Sequence, residues 1–189
     1  TAKVTSGAVS FMDLYSMVTG LIGQNGRRGA LMLSIDCSHP DLEEFIRVKS
    51  DLTRVTKANI SVRISDAFMQ AVKEDGEFTL RFTRKATGET ITKTVRAKEV
   101  FAQIARMNWD YAEPGSLFWD RICGWNLLSN TKEFQFAGTN PCAEEPLPAG
   151  GSCLLGSLNL AAFVREKAFD EDAFCRAVAI SVKALNDVL

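Results

Sequence analysis

The order of apolar and polar positions divides the chain into short helices and strands. Phe11, Leu14, Tyr15, Val18, Leu21 and Ile22 recur at helical spacing and predict an amphipathic helix over 10–23, with that stripe as its buried face. Residues 30–35 are almost wholly apolar, which suits a strand buried on both faces. A turn over 36–40 leads to a second helix over 41–49, acidic in its first turn as the helix dipole prefers. Residues 59–64 alternate like a strand, and Ser65 or Asp66 caps a helix that runs to about Lys73. Residues 77–82 and 90–96 alternate again around Lys85-Ala86-Thr87-Gly88, which predicts an exposed hairpin. A helix over 98–111 carries Val100, Phe101, Ile104, Ala105 and Trp109 on one face and stops at Pro114-Gly115. Residues 116–128 are apolar but fit neither period. Pro141, Pro146 and Pro148 mark 139–151 as a loop, and 170–189 reads as a long closing helix. Helices alternating with apolar strands predict an α/β protein with a largely parallel sheet, the hairpin being inserted.

Composition narrows the class. The chain has 189 residues, 46% hydrophobic and 24% charged, the mix of a globular domain or a piece of a larger one. Its net charge of -1 argues against nonspecific nucleic-acid binding, which runs on surplus cationic charge. No apolar run approaches the roughly 18 residues of a membrane span, and the start lacks a signal-peptide layout. The start at Thr1 and the apolar run to Leu189 suggest a segment of a longer polypeptide. Five cysteines, Cys37, Cys123, Cys142, Cys153 and Cys175, include no C-x-x-C pair, and His39 is the single histidine. A disulfide scaffold and a compact metal site are disfavoured, and a reducing cytoplasm is the expected compartment. Trp109, Trp119 and Trp125 read as core residues, as do Cys37, Cys123 and Cys175 as structural thiols. His39 reads as a residue at a helix start.

The densest chemistry lies in Gly138-Thr139-Asn140-Pro141-Cys142-Ala143-Glu144-Glu145-Pro146-Leu147-Pro148. If this stretch is extended, period two puts Asn140, Cys142 and Glu144 on one side. A thiol, an amide and a base would then converge on one small substrate, while Glu145 points away. On composition alone, the same stretch is a proline-rich surface turn with an incidental cysteine. A second feature, Gly151-Ser152-Cys153-Leu154-Leu155-Gly156-Ser157-Leu158-Asn159-Leu160, places Cys153 11 residues after Cys142.

Together the two segments resemble the radical-cysteine loop and following strand of the ribonucleotide reductase large component, most closely its adenosylcobalamin-dependent class II. Ser6–Met12, Gly26–Met32, His39–Phe45 and Asn59–Val72 resemble further blocks of that family, so the likeness spans the chain. The resemblance implies a ten-stranded α/β barrel with a central radical-cysteine finger loop over 138–151 and an inserted β-hairpin over 77–96. It implies reduction of ribonucleotides to 2′-deoxyribonucleotides. Cys142 would carry the thiyl radical, Glu144 would act as general base, Asn140 would hold the ribose hydroxyls, and Cys153 would be one of two redox-active thiols. The partner of Cys153 would lie upstream of this segment.

The loop over 24–30 resembles the family's specificity loop, which implies that Gln24, Arg27, Arg28 and Gly29 lie between a deoxynucleoside triphosphate effector and the substrate base. Without the family it reads as a helix-to-strand loop with solvated arginines. Adenosylcobalamin is the implied cofactor, bound mainly by other parts of the protein, with no metal held by this chain. A thioredoxin- or glutaredoxin-like reductant and a homodimer are the implied partners. Two alternatives stay open: a class I catalytic subunit with a separate metal-bearing radical subunit, or a nucleotide-binding module without catalysis. The segment alone is expected to be inactive.

Overall fold

A computed structural model describes residues 7–22 and 29–189. Residues Gln24, Arg27 and Arg28 of the expected effector loop lie outside the described residues. The chain divides into two compact units, 1–149 and 150–189.

The first unit is built on a three-stranded parallel sheet of mixed α/β character. Its strands are β1 (Met32–Asp36), β2 (Asn59–Ile64) and β5 (Gly115–Phe118), in the order β1-β2-β5. Between β1 and β2 lies α2 (Leu42–Arg47), continued by a 3-10 turn. Between β2 and β5 lie α3 (Asp66–Lys73), the antiparallel hairpin of β3 (Glu77–Thr83) and β4 (Thr90–Arg96), and α4 (Ala97–Tyr111). Helix α1 (Ala8–Leu21) precedes the sheet, and α5 (Trp119–Gly124) follows it. A short antiparallel pair, β6 (Phe136–Thr139) and β7 (Pro146–Pro148), ends the unit.

The core lies on one face of the sheet. Ile60, Val62 and Ile64 of β2 point into it, with Ile35 of β1, Phe45 and Ile46 of α2, Phe68 of α3, Leu80 of β3 and Ile104 of α4. Ser65 caps α3, its Oγ accepting from the Phe68 N–H at 3.1 Å. The hairpin is fastened to the unit where Arg81 N–H donates to the Ser38 carbonyl at 2.6 Å. The odd-numbered side chains of β2 face the other way.

Several expectations are corrected. In β1 only Ile35 is buried, because Ser34 and Asp36 give the strand a polar second face at the edge of the sheet. Helix α1 forms, but it buries Val9, Met12 and Ser16, and the predicted stripe from Phe11 to Ile22 is exposed. Both sets have helical spacing, so the period locates the helix without choosing its inner face. Trp109 is 85% exposed, Trp125 is also exposed and Trp119 is half-buried, so none of the three is core. The ambiguous run 116–128 begins as the four-residue β5 and turns at once into α5. No closed barrel forms among the described residues; the sheets are one of three strands and three of two.

The second unit begins with an irregular exposed stretch over 151–159. A 3-10 turn and a small hairpin of β8 (Val164–Arg165) and β9 (Ala168–Phe169) follow. The unit closes with α6 (Glu171–Val188), whose first turn is capped by Asp170 Oδ1 accepting from Ala173 N–H at 2.9 Å. Phe163, Phe169 and Phe174 pack together, with ring centroids 5.4 to 6.2 Å apart. No helix among the described residues is long and apolar enough to cross a membrane.

Candidate functional site

Residues Asn140–Glu145 form the tip between β6 and β7, and the tip is a turn, not an extended strand. Asn140 N–H donates to the Glu145 carbonyl at 3.1 Å, and Ala143 N–H donates to the Asn140 carbonyl at 3.0 Å. Asn140 Oδ1 accepts from Glu145 N–H at 3.0 Å. Ala143 sits at φ 69, in the left-handed region. Pro141 supplies no N–H, and the turn closes through its neighbours instead. The period-two reasoning that aligned Asn140, Cys142 and Glu144 therefore does not apply; what unites the three is a shared six-residue tip.

Within that tip, Cys142 and Glu144 are exposed and Asn140 is half-buried. The Asn140 side chain has two ends with different duties. Its oxygen holds the turn closed, while its Nδ2 has no hydrogen-bond partner among the described residues. An exposed thiol, an exposed carboxylate and a free amide donor thus share one six-residue turn closed by its own hydrogen bonds. Such a set suits hydrogen transfer at sulfur, proton transfer at the carboxylate and hydrogen bonding to a hydroxyl.

The β6–β7 hairpin is seated on the face of β2 that turns away from the core. Asn59 Nδ2 donates to the Pro141 carbonyl at 2.8 Å, and Arg63 donates through a terminal guanidinium nitrogen to the Ala137 carbonyl at 3.4 Å. The Arg63 guanidinium lies 5.1 Å from the centroid of the Trp119 ring, a cation–π arrangement. Its Nε is buried and has no partner among the described residues. Sequence reasoning missed Asn59 and Arg63 because their partners lie 82 and 74 residues away. The one available signal was that polar residues alternate with Ile60, Val62 and Ile64.

The remaining cysteines differ in setting. Cys153 is exposed in the irregular start of the second unit. Cys37 is fully buried beside Ser65, whose N–H donates to its sulfur at 3.4 Å. Burial pushes the Cys37 thiol up; the Ser65 hydrogen bonds oppose this, and the Asp36 charge adds to it. Burial and the Asp120 charge also push the Cys123 thiol up, against Arg63. Cys123 is half-buried, whereas Cys175 is exposed on α6 and does not serve the core. Gly29, the described end of the expected effector loop, lies tight against α1. A Cβ there would fall 2.9 Å from Thr19 Cγ2.

No group of three or more His, Cys, Asp or Glu able to hold a metal ion occurs among the described residues. His39 commits Nδ1 to the Asp41 N–H at 3.0 Å and packs its ring on Phe82. It serves the start of α2 and is poorly placed to ligate cobalt through that nitrogen. The described residues thus offer no side-chain cluster that would ligate a cobalamin's metal.

A parallel sheet flanked by helices and carrying a cysteine-tipped hairpin places the chain in the α/β class. Residues 1–189 match a model of the ribonucleotide reductase barrel domain, and the chain belongs to that family. It is 36% identical over 192 residues to a vitamin B12-dependent ribonucleoside-diphosphate reductase of Thermoplasma acidophilum, covering 100% of this chain and 24% of that protein. It is 34% identical over 191 residues to a protein of the same name from Mycobacterium tuberculosis, covering 100% and 27%. A vitamin B12-dependent ribonucleotide reductase of Streptomyces coelicolor is 34% identical over 211 residues, covering 96% and 21%. The chain thus spans about a quarter of the length of these relatives.

Proposed function

We propose that the full-length protein reduces ribonucleotides to 2′-deoxyribonucleotides by thiyl-radical chemistry, and that this chain is part of its catalytic barrel. The carrying observation is an exposed Cys142 on a clamped hairpin, in a chain that belongs to this barrel-domain family along its whole length. In this reading, the sheet is part of a ten-stranded barrel. Residues 138–151 form the radical-cysteine loop, 77–96 an inserted hairpin and 24–30 the effector loop. Adenosylcobalamin is the proposed radical source, supported by the names of the relatives.

The residues then divide the work. The Cys142 thiyl takes the hydrogen from C3′, forming an S–H bond and leaving a carbon radical. The S–H bond is close in strength to an activated ribose C–H bond, so this transfer is nearly balanced and reversible. Glu144 accepts the 3′-OH proton, the 2′-OH departs as water with a proton from the thiol pair, and Glu144 later returns its own proton to the 3′ oxygen. Asn140 offers its free amide donor to the ribose oxygens as charge develops. Cys153 and a second thiol supply two electrons and two protons and become a disulfide. Cys142 then returns its hydrogen to C3′. A thioredoxin- or glutaredoxin-like protein restores the two thiols by exchange. A deoxynucleoside triphosphate bound near Gln24, Arg27, Arg28 and Gly29 would match effector to substrate base, in a homodimer in the cytoplasm. A nucleoside diphosphate and a triphosphate fit the reading equally.

The test is deoxynucleotide formation by the full-length protein, with adenosylcobalamin as the only added radical source and a dithiol reductant. Turnover that needs the cofactor and is lost in Cys142→Ser supports the proposal. Turnover restored only by a metal-bearing partner subunit moves the protein to class I. Deoxynucleotide binding without turnover under either condition leaves a nucleotide-binding module.

A further inference from the structure

We propose that Asn59 is a positioning residue for Cys142: from the start of the central strand it fixes the Pro141 carbonyl, and so aims the thiol that follows. The catalytic consequence rests on the reading of Cys142 as the radical-bearing residue; the placement itself does not.

The hydrogen bonds inside the tip close it on itself but do not tie it to the sheet. Among the described residues, two side-chain hydrogen bonds make that tie. Arg63 holds the base of the hairpin at Ala137, and Asn59 holds the tip at Pro141. The Pro141 carbonyl belongs to the peptide unit whose nitrogen is that of Cys142. Because that unit is planar, an anchored oxygen also sets the direction in which Cys142 leaves it. The anchor stands on the middle strand of the sheet, bonded to neighbours on both sides. Without it, the tip hangs on a β6–β7 pair whose ladder is already irregular between Phe136 and Gly138.

The Asn59 side chain is not needed to build β2. It is exposed, and the strand is tied at this residue through the backbone, where Asn59 N–H donates to the Leu31 carbonyl at 2.8 Å. Replacing it should therefore loosen the tip and leave the sheet in place.

The experiment compares Asn59→Ala and Asn59→Asp with the unaltered full-length protein. Asp keeps the volume but removes the donor and sets a carboxylate against a carbonyl. Amide hydrogen exchange is read at Ala143 and Glu145 for the tip, and at Val62 and Ile64 for the sheet. Turnover is measured with adenosylcobalamin and a dithiol. One net hydrogen bond corresponds to roughly a three- to tenfold change. Both variants should speed exchange at the tip by about that factor and leave Val62 and Ile64 unchanged, with Asp at least as damaging as Ala. kcat should fall by a similar factor, while KM for the ribonucleotide moves less than about twofold.

Unchanged exchange at the tip in both variants overturns the placement. Faster exchange at Val62 and Ile64 as well makes Asn59 a structural residue and also overturns it. A loosened tip with unchanged kcat overturns the catalytic role. Full turnover in Cys142→Ser would instead refute the radical-cysteine reading, and the exchange data would still decide whether Asn59 holds the loop.

Discussion

Glu113→Ala removes a side chain that serves two groups, one at the start of β2 and one in the 3-10 turn after α2. Its Oε1 accepts from the Ile60 N–H at 2.8 Å, and its Oε2 lies 3.0 Å from Lys49 Nζ. Ile60 is fully buried, and leaving its N–H unpaired costs about 1–3 kcal/mol. The Lys49 and Glu113 side chains are 14% and 25% exposed, so their pair lies between a surface bridge and a buried one. Lys49 keeps the Val55 and Ala58 carbonyls, each at 2.7 Å, which limits that loss to about 1 kcal/mol. The sum is about 2–4 kcal/mol, or roughly 30-fold to several-hundred-fold in local opening. Glu113→Gln keeps an acceptor for Ile60 and loses only the charge, so its cost is about 1 kcal/mol. Amide hydrogen exchange on the full-length protein reads this directly. Val62 and Ile64 are the informative positions, because Ile60 loses its own bond whatever happens to the strand. Less than a threefold acceleration there in Glu113→Ala would refute the reasoning. So would equal damage from Gln, which would place the worth in the charge.

Two further predictions concern the core and the sheet. Burial holds the Cys37 thiol protonated above its ordinary value of 9.0, so the folded chain binds more protons than the unfolded one at alkaline pH. Its contribution is fully present below that value and is lost as pH rises through the raised one. Denaturation midpoints measured upward from pH 8 should fall less steeply in Cys37→Ala, and an equal slope would contradict this. At Gly115 a Cβ would fall 2.7 Å from Ser61 Oγ but 3.7 Å from Ser61 Cβ. Gly115→Ala should thus destabilise the β2–β5 pair, and Ser61→Ala should rescue it; a double-mutant cycle with no coupling would exclude the clash.

The sequence disclosed elements with a strong local signal. Strand β2 alternates cleanly, Ser65 stands where α3 starts, and the β3–β4 turn is marked by Thr87-Gly88 between two alternating runs. Strand β5 was hidden because four residues joined directly to α5 show neither period. Residues 30–35 misled because Ser34 is their single polar position, and the polar face it shares with Asp36 shows only in the folded strand. For the tip, composition marked 138–148 as a dense stretch and the family resemblance singled out Asn140, Cys142 and Glu144, but prolines alone do not distinguish an extended segment from a turn closed by the Asn140 side chain. Asn59 was invisible for a different cause: its partner is fixed by the fold and not by neighbours in sequence.

The two faces of β2 also separate two kinds of failure. Ile60, Val62 and Ile64 hold the core, whereas Asn59 and Arg63 reach across to the hairpin. Apart from Ser61, which is buried against Gly115, a substitution scan along this strand should therefore alternate in phenotype. Even positions should reduce the yield of folded protein, and Asn59 and Arg63 should give normal yield with impaired chemistry. A screen that scores expression alone would pass every variant of the second kind, so whether a residue faces the core or the hairpin tells an engineer which assay to run.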